Sequence, residues 1–160
     1  MMIIGYVLIV FLILSDYGLK KLFEYLYNPD EIKIVIDGVL KFGHIRNYGA
    51  SFGMFQGYHL LFFFITIIAL IIFGYLYSKA SFKTKKVYSI ALTFLIAGTL
   101  GNAIDRLFYG YVIDYIQIPF LPIVGRTFFN LADALLNVGV VLLIIDIMFL
   151  EKYRNEENKV

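Results

Sequence analysis

The chain has 160 residues, 61% of them hydrophobic and 16% charged, with no cysteine and a mean hydropathy of +0.80. So little polar surface excludes a single water-soluble core of this size, and the missing cysteine excludes disulfides, thiolate metal sites, a cysteine nucleophile and lipidation of this chain on cysteine. A formal net charge of +2 is too small to point to nucleic acid, which leaves a small polytopic membrane protein.

Four apolar runs are close to the ~20 residues that a spanning helix needs. They are Met1 to Leu14 (extendable to Leu19), Leu60 to Tyr77, Val87 to Ile104, and Phe128 to Leu150. The first has no Lys or Arg ahead of its apolar core and no small-residue cleavage site behind it, so it reads as a permanent span. At its outer end Asp16 and Lys20 are four residues apart, which predicts an ion pair. An outer segment follows, about residues 31–58. Within it "EIKIVIDGVLKF" alternates around Asp37-Gly38 and predicts a type I′ hairpin with φ > 0 at both central residues. The next stretch, "RNYGASFGMFQGYH", is too short to span and too apolar for a free loop, so it is expected to lie in the interface. Asn47 within it either donates its amide to a substrate or caps a turn. His44 and His59 stand alone, without ligand-like neighbours.

Between spans two and three, "SKASFKTKK" carries Lys79, Lys83, Lys85 and Lys86 and no acid. Over the whole chain, this loop included, basic residues divide evenly, seven on each side, so the short acid-free loop is given the deciding weight: both termini are expected to be cytoplasmic. Span three closes in "AGTLGNAIDRLFYGYVIDYI". Asn102 and Arg106 share a helix face at i,i+4, while Gly98 and Gly101 allow close helix contact. Asp114 follows at the outer rim, in a second outer loop of about residues 107–127 read as irregular with short strands. Span four opens with Asn130, Asp133 and Asn137, which fall within an arc of ~60° at 100° per residue and make one polar stripe. That places Asp133 about a turn and a half inside the span, where an ionisable group marks a functional site by default. Asp146, on the opposite side near the inner end, is expected to be an interfacial acid facing headgroups, and the tail "EKYRNEENKV" a solvated end.

Asp114 and Asp133 admit three roles on these residues alone. Two adjacent carboxylates cannot both ionise, so one can act as base towards water while the protonated other polarises a carbonyl, as in aspartic proteases. Alternatively each is tied structurally to Arg106 or Lys20. The third possibility is a proton or ion path, as in a small proton-coupled transporter or channel. No H-E-x-x-H zinc motif and no G-x-S-x-G elbow is present.

Five segments in order, "SDYGLK", "RNYGASFG", "AGTLGNAIDRLF", "YGYVIDYI" and "FNLADA", resemble the bacterial lipoprotein signal peptidase (signal peptidase II) family of intramembrane aspartic proteases. The resemblance implies a mainly α membrane protein with four transmembrane helices, a small periplasmic β-cradle and an interfacial helix, forming one peptidase domain over residues 1–160. It implies a multi-pass protein of the bacterial cytoplasmic (inner) membrane, with its active site near the periplasmic or outer face. The reaction implied is cleavage of diacylglyceryl-modified prolipoproteins just before the lipidated cysteine, at the membrane lipid and without metal or cofactor. Asp114 and Asp133 would be the catalytic pair. Asn47, Asn102, Arg106 and Asn130 would line or brace the site, and Asp16 and Lys20 would support its outer wall. The family's usual Asp-Gln reads Asp16-Tyr17 here, and Ala134 follows the second aspartate.

Overall fold

The computed structural model describes residues 2–49, 55–122, 124–152 and 154. Helix α1 (Met2–Leu26) leads into a hairpin of strands β1 (Ile32–Ile36) and β2 (Leu40–Asn47). Helices α2 (His59–Tyr77) and α3 (Lys86–Tyr109), strand β3 (Val112–Gln117) and helix α4 (Leu131–Ile145) follow. A π-helical turn, Asp146–Leu150, extends α4. The four helices, counting that extension, are long and apolar enough to cross a membrane.

α3 is the central helix and packs against α4, α1 and α2. It can be central because its inward face carries small residues. A Cβ on Gly98 would lie 2.5 Å from the Ala132 carbonyl oxygen, and one on Gly101 would lie 2.7 Å from Asp16 Oδ2 and 3.1 Å from Ala132 Cβ. Gly101 is thus where α1, α3 and α4 meet. Buried hydroxyls on the same helix bond back to its own carbonyls, Thr93 Oγ1 to Ser89 at 2.8 Å and Ser89 Oγ to Lys85 at 2.7 Å, so none is left unpaired in an apolar setting. Ile9, Tyr77, Leu92, Leu95, Ala97 and Leu135 form the core between the helices. The many exposed Ile, Leu, Val and Phe side chains of α1, α2 and α4 are the surface a bilayer would cover.

Several expectations change. α1 runs to Leu26, past the expected limit at Leu19, because Lys20 is buried and paired and does not mark an aqueous end. The hairpin pairs Ile36 with Leu40, leaving a three-residue loop in which Gly38 (φ 67) has a positive φ and Asp37 does not. It is therefore not a two-residue type I′ turn; an irregularity between Ile34 and Ile36 absorbs the extra residue. β3 comes from the second outer loop and completes an antiparallel sheet in the order β1-β2-β3, so both outer segments build one structure. The stretch expected to lie in the interface, residues 46–59, begins within β2, has a turn at residues 55–57 and ends at the start of α2, while its residues 50–54 lie outside the described residues.

Asp146 does not face headgroups. It is 1% exposed, and both its carboxylate oxygens accept from Arg154, at 2.8 and 2.6 Å. The wide π turn rotates the chain after it and brings the tail arginine back over the acid. Arg154 is therefore tied to the helix end and is not part of a solvated tail.

Gly101→Ala is expected to lower the thermal midpoint in detergent, by an overpacking cost of about 1–3 kcal/mol, because the new methyl meets Asp16 and Ala132. A Cβ on Gly18 of α1 meets nothing within 4 Å, so Gly18→Ala should be neutral or stabilising by up to about 1 kcal/mol. Equal effects of the two substitutions in the same detergent would contradict this packing.

Candidate active site

α4 does not begin where the apolar run begins. Phe129 is still extended, exchanging backbone hydrogen bonds with Ile116 of β3 at 2.8 and 3.0 Å. Asn130 is the N-cap of α4 (φ −128), its side chain accepting from the backbone N–H of Asp133 at 2.9 Å. Asp133 Oδ2 in turn accepts from the Asn130 backbone N–H at 3.3 Å, completing a capping box. Asp133 therefore sits in the first turn, not a turn and a half inside. The helix start offers it the positive end of the macrodipole. Asn137 lines the same cavity as Asp133, with its amide bonded back to the Asp133 carbonyl at 2.8 Å and to neither carboxylate.

Asp114 is carried in by β3, opposite Ile45 of β2. Three amides then contact the two carboxylates. Asn47 Nδ2 donates to Asp114 Oδ2 at 2.9 Å, Asn130 Nδ2 to Asp114 Oδ1 at 2.7 Å, and Asn102 Nδ2 to Asp133 Oδ1 at 2.7 Å. The side-chain oxygen of each amide is held by a group that can only donate. Gly49 N–H bonds Asn47 Oδ1 at 2.9 Å, Asp133 N–H bonds Asn130 Oδ1, and Lys20 Nζ bonds Asn102 Oδ1 at 3.1 Å. None can flip without placing its NH₂ against a donor, so all three present N–H to an aspartate. Asn47 fulfils both roles considered for it, since it donates to a site carboxylate and caps its own turn.

Lys20 is the hub behind this arrangement. Its ammonium, 1% exposed, lies 2.7 Å from Asp16 Oδ2 and 2.9 Å from Asp105 Oδ2. Asp16 Oδ1 accepts from the Ala132 N–H at 2.9 Å, and Asp105 Oδ2 from the Ile113 N–H at 3.2 Å. Those two amides belong to the residues immediately before Asp133 and Asp114. One buried cation thus fixes the backbone beside both aspartates.

Burial pushes the Asp114 carboxyl above the usual carboxylate range, and the neighbouring Asp133 charge raises it further. Among the described residues neither aspartate has a Lys or Arg nitrogen within 4.0 Å, so the structural-tie alternative lacks its ion pairs. Arg106 instead donates to the Gly49 carbonyl at 3.2 Å and stacks its guanidinium over Phe62, 4.6 Å from the ring centroid. Both aspartates open onto a cavity of about 470 Å³, lined also by Asn47, Asn102 and Arg106 and walled by Phe62, Ile65, Phe73 and Leu136.

All eight residues singled out in the sequence, Asp16, Lys20, Asn47, Asn102, Arg106, Asp114, Asn130 and Asp133, meet at this one place. Two more belong with them. Asp105 is absent from the sequence reading, although its i,i+3 spacing after Asn102 is a signal that could have marked it. The Tyr115 hydroxyl accepts from the Leu131 N–H at 3.0 Å, and its ring stacks on Phe23 of α1 at 4.4 Å, a long-range role that no local pattern marks.

Residues 8–149 match the family model described as signal peptidase (SPase) II. The chain is 38% identical over 126 residues to the lipoprotein signal peptidase of Enterococcus faecalis, covering 79% of this chain and 76% of that one. It is also 38% identical over 114 residues to the lipoprotein signal peptidase of Lactiplantibacillus plantarum, covering 71% and 73%. A solved bacterial membrane enzyme superimposes with a TM-score of 0.78 at 32% identity, over 91% of this chain and 92% of the other.

Lys20→Met should leave Asp16 and Asp105 buried without their cation and free Asn102 to flip. The expected result is a loss of stability of roughly 3–5 kcal/mol, as for breaking a buried ion pair from one side. Thermal unfolding in detergent measures it; an unchanged midpoint would show that the hub is not holding the site together.

Proposed function

The chain belongs to the signal peptidase II family of aspartic proteases, and on that premise we propose that it cleaves the signal peptide from diacylglyceryl-modified prolipoproteins, just before the lipidated cysteine, with Asp114 and Asp133 as the catalytic pair. The observation that carries this reading is the amide cage, in which Asn130 donates to both carboxylates while, among the described residues, no Lys or Arg pairs with either. Such a pair holds one proton between two like charges.

In the first step the Asp133 carboxylate takes a proton from water, and the water oxygen bonds to the scissile carbonyl carbon. Asp114, whose carboxyl burial raises, gives its proton to the carbonyl oxygen. The tetrahedral diol then collapses. Asp133 returns its proton to the leaving nitrogen, the C–N bond breaks, and Asp114 recovers a proton from the diol hydroxyl. The products are a signal-peptide carboxylic acid and a free amine on the lipidated cysteine, with both aspartates restored. Asn47, Asn102 and Asn130 hold the carboxylates in place, and Arg106 braces the loop at Gly49.

Substrate lipid fits the same geometry. An apolar cavity of about 400 Å³ between α2 and α3, lined by Leu60, Phe63, Ile67 and Leu107, borders the first and shares Phe62, Thr66 and Arg106 with it. Each buried CH₂ of an acyl chain contributes ~0.8 kcal/mol and keeps the scissile bond in the plane of the aspartates. Orientation follows from α3. Its 24 residues span about 36 Å and separate the acid-free lysine loop before Lys86 from the cluster at Asn102–Arg106. With that loop cytoplasmic, both termini are cytoplasmic and the aspartates lie near the outer face of the bacterial membrane.

The test is to incubate the purified protein with matched prolipoproteins, lipidated and not, at equal concentration in the same mixed micelles. The lipidated form should be cut before its cysteine at rates higher by orders of magnitude, because anchoring raises its effective concentration at the site. Comparable rates would remove lipid from the specificity. No cleavage of either form, with proton flux in vesicles, would replace the peptidase with a transporter.

A further inference from the structure

We propose, resting on the peptidase reading above, that Asn137 binds the main chain of the signal peptide, its side-chain oxygen accepting one backbone N–H from the residues just ahead of the cleaved bond. Asn137 is the one polar side chain on α4 between Asp133 and Asp146. It is exposed, and it lines the cavity of about 470 Å³ onto which both aspartates open. A polar group within a span is costly, so an amide on this otherwise apolar stretch calls for partners. The helix supplies only part of them. Asn137 Nδ2 donates to the Asp133 carbonyl at 2.8 Å. That contact also fixes the amide, because a flip would set oxygen against oxygen. Oδ1 is left as the free end, with no donor bonded to it among the described residues.

The substrate has the complementary need. For Asp114 and Asp133 to reach a scissile peptide bond, the chain beside that bond must leave its helix, and its N–H groups then lack their helical partners. Within a bilayer such groups have to be satisfied by protein or in a cavity. The cavity runs inward from the aspartates along Thr66 and Phe73 of α2, Thr99 of α3, and Leu136 and Asn137 of α4. With the aspartates near the outer face, this inward arm is the side on which the signal peptide lies. α2 packs on α3 and scarcely on α4, so the arm lies in a gap between two spans. Asn137 follows Asp133 by four residues, which places it ~6 Å further inward along α4. An extended chain covers that distance in about two residues, at ~3.3 Å each. The N–H that meets Asn137 therefore belongs to the second or third residue ahead of the cleaved bond. An acceptor placed there reads main chain and is blind to side chains, so it serves signal peptides of different sequence.

Backbone esters provide the test, since an ester in place of an amide removes one N–H and leaves every side chain unchanged. Lipidated prolipoprotein peptides carry a single ester at each of the residues ahead of the cleaved bond in turn, never at that bond itself. With the wild-type protein, the ester at the second or third residue should lower kcat/KM about five- to tenfold, the value of one hydrogen bond. Asn137→Leu, of similar size and without the acceptor, should lower kcat/KM by a similar factor on the all-amide substrate. The ester that costs the wild type most should then cost this variant nothing further. A merely structural Asn137 would slow all substrates in proportion and leave every ester cost as it is in the wild type, which would overturn the proposal. So would Asn137→Leu cutting the all-amide substrate at the wild-type rate. If Asn137→Leu fails to fold, Asn137→Ala is read by the same two criteria. A wild type that cuts no substrate overturns the peptidase reading itself, an outcome distinct from unaltered ester costs.

Discussion

A single buried ammonium organises this molecule. Lys20 lies among α1, α3 and the start of α4, where an unpaired charge would be prohibitive, so the sequence surrounds it with Asp16, Asp105 and the oxygen of Asn102. Each of these partners also reaches an aspartate or its neighbour. Asp16 holds the amide of Ala132, Asp105 holds the amide of Ile113, and Asn102 donates directly to Asp133. The cost of burying the lysine is thereby converted into rigidity at two backbone positions that lie on different elements. Gly101 is part of the same constraint, since any side chain there would displace Asp16.

The two aspartates reach the site by unlike routes, and the difference suits unlike roles. Asp133 stands in the first turn of a helix, with backbone dipoles directed at it and a capping box closing on Asn130. Asp114 stands on a strand, buried, with two neutral amides as its hydrogen-bond partners. In the proposed mechanism the first keeps its charge and activates water, while the second keeps its proton and polarises the carbonyl. Placing otherwise identical side chains in different surroundings is the general means of assigning base and acid.

Much of this was legible in the sequence because apolar runs and isolated polar groups speak for themselves in a membrane protein. The four spans, the outer hairpin and eight polar residues of the site stand out against their surroundings, whereas Asp105 and Tyr115 do not. What hydropathy could not reveal was where a run stops being helical. Phe128 and Phe129 are as apolar as the helix that follows, yet neither is helical, Phe129 is held by β3, and the Asn130-x-x-Asp133 cap sets the true start. Charge misled in the same way at Lys20 and Asp146. Both looked like markers of an aqueous edge, and both are buried because a partner four, eight or many residues away neutralises them. The third strand and the Phe23–Tyr115 stack depend on contacts between distant segments, for which local periodicity carries no signal.

The central claim is that one proton shared by Asp114 and Asp133 does the chemistry, and separate amide substitutions test it most directly. Asp114→Asn and Asp133→Asn preserve size and most hydrogen-bonding capacity, but neither amide can give or take the proton the mechanism needs. With insertion and thermal midpoint close to wild type, each variant is expected to have lost cleavage of a lipidated prolipoprotein. Activity persisting above a few percent of wild type in either folded variant would contradict the account.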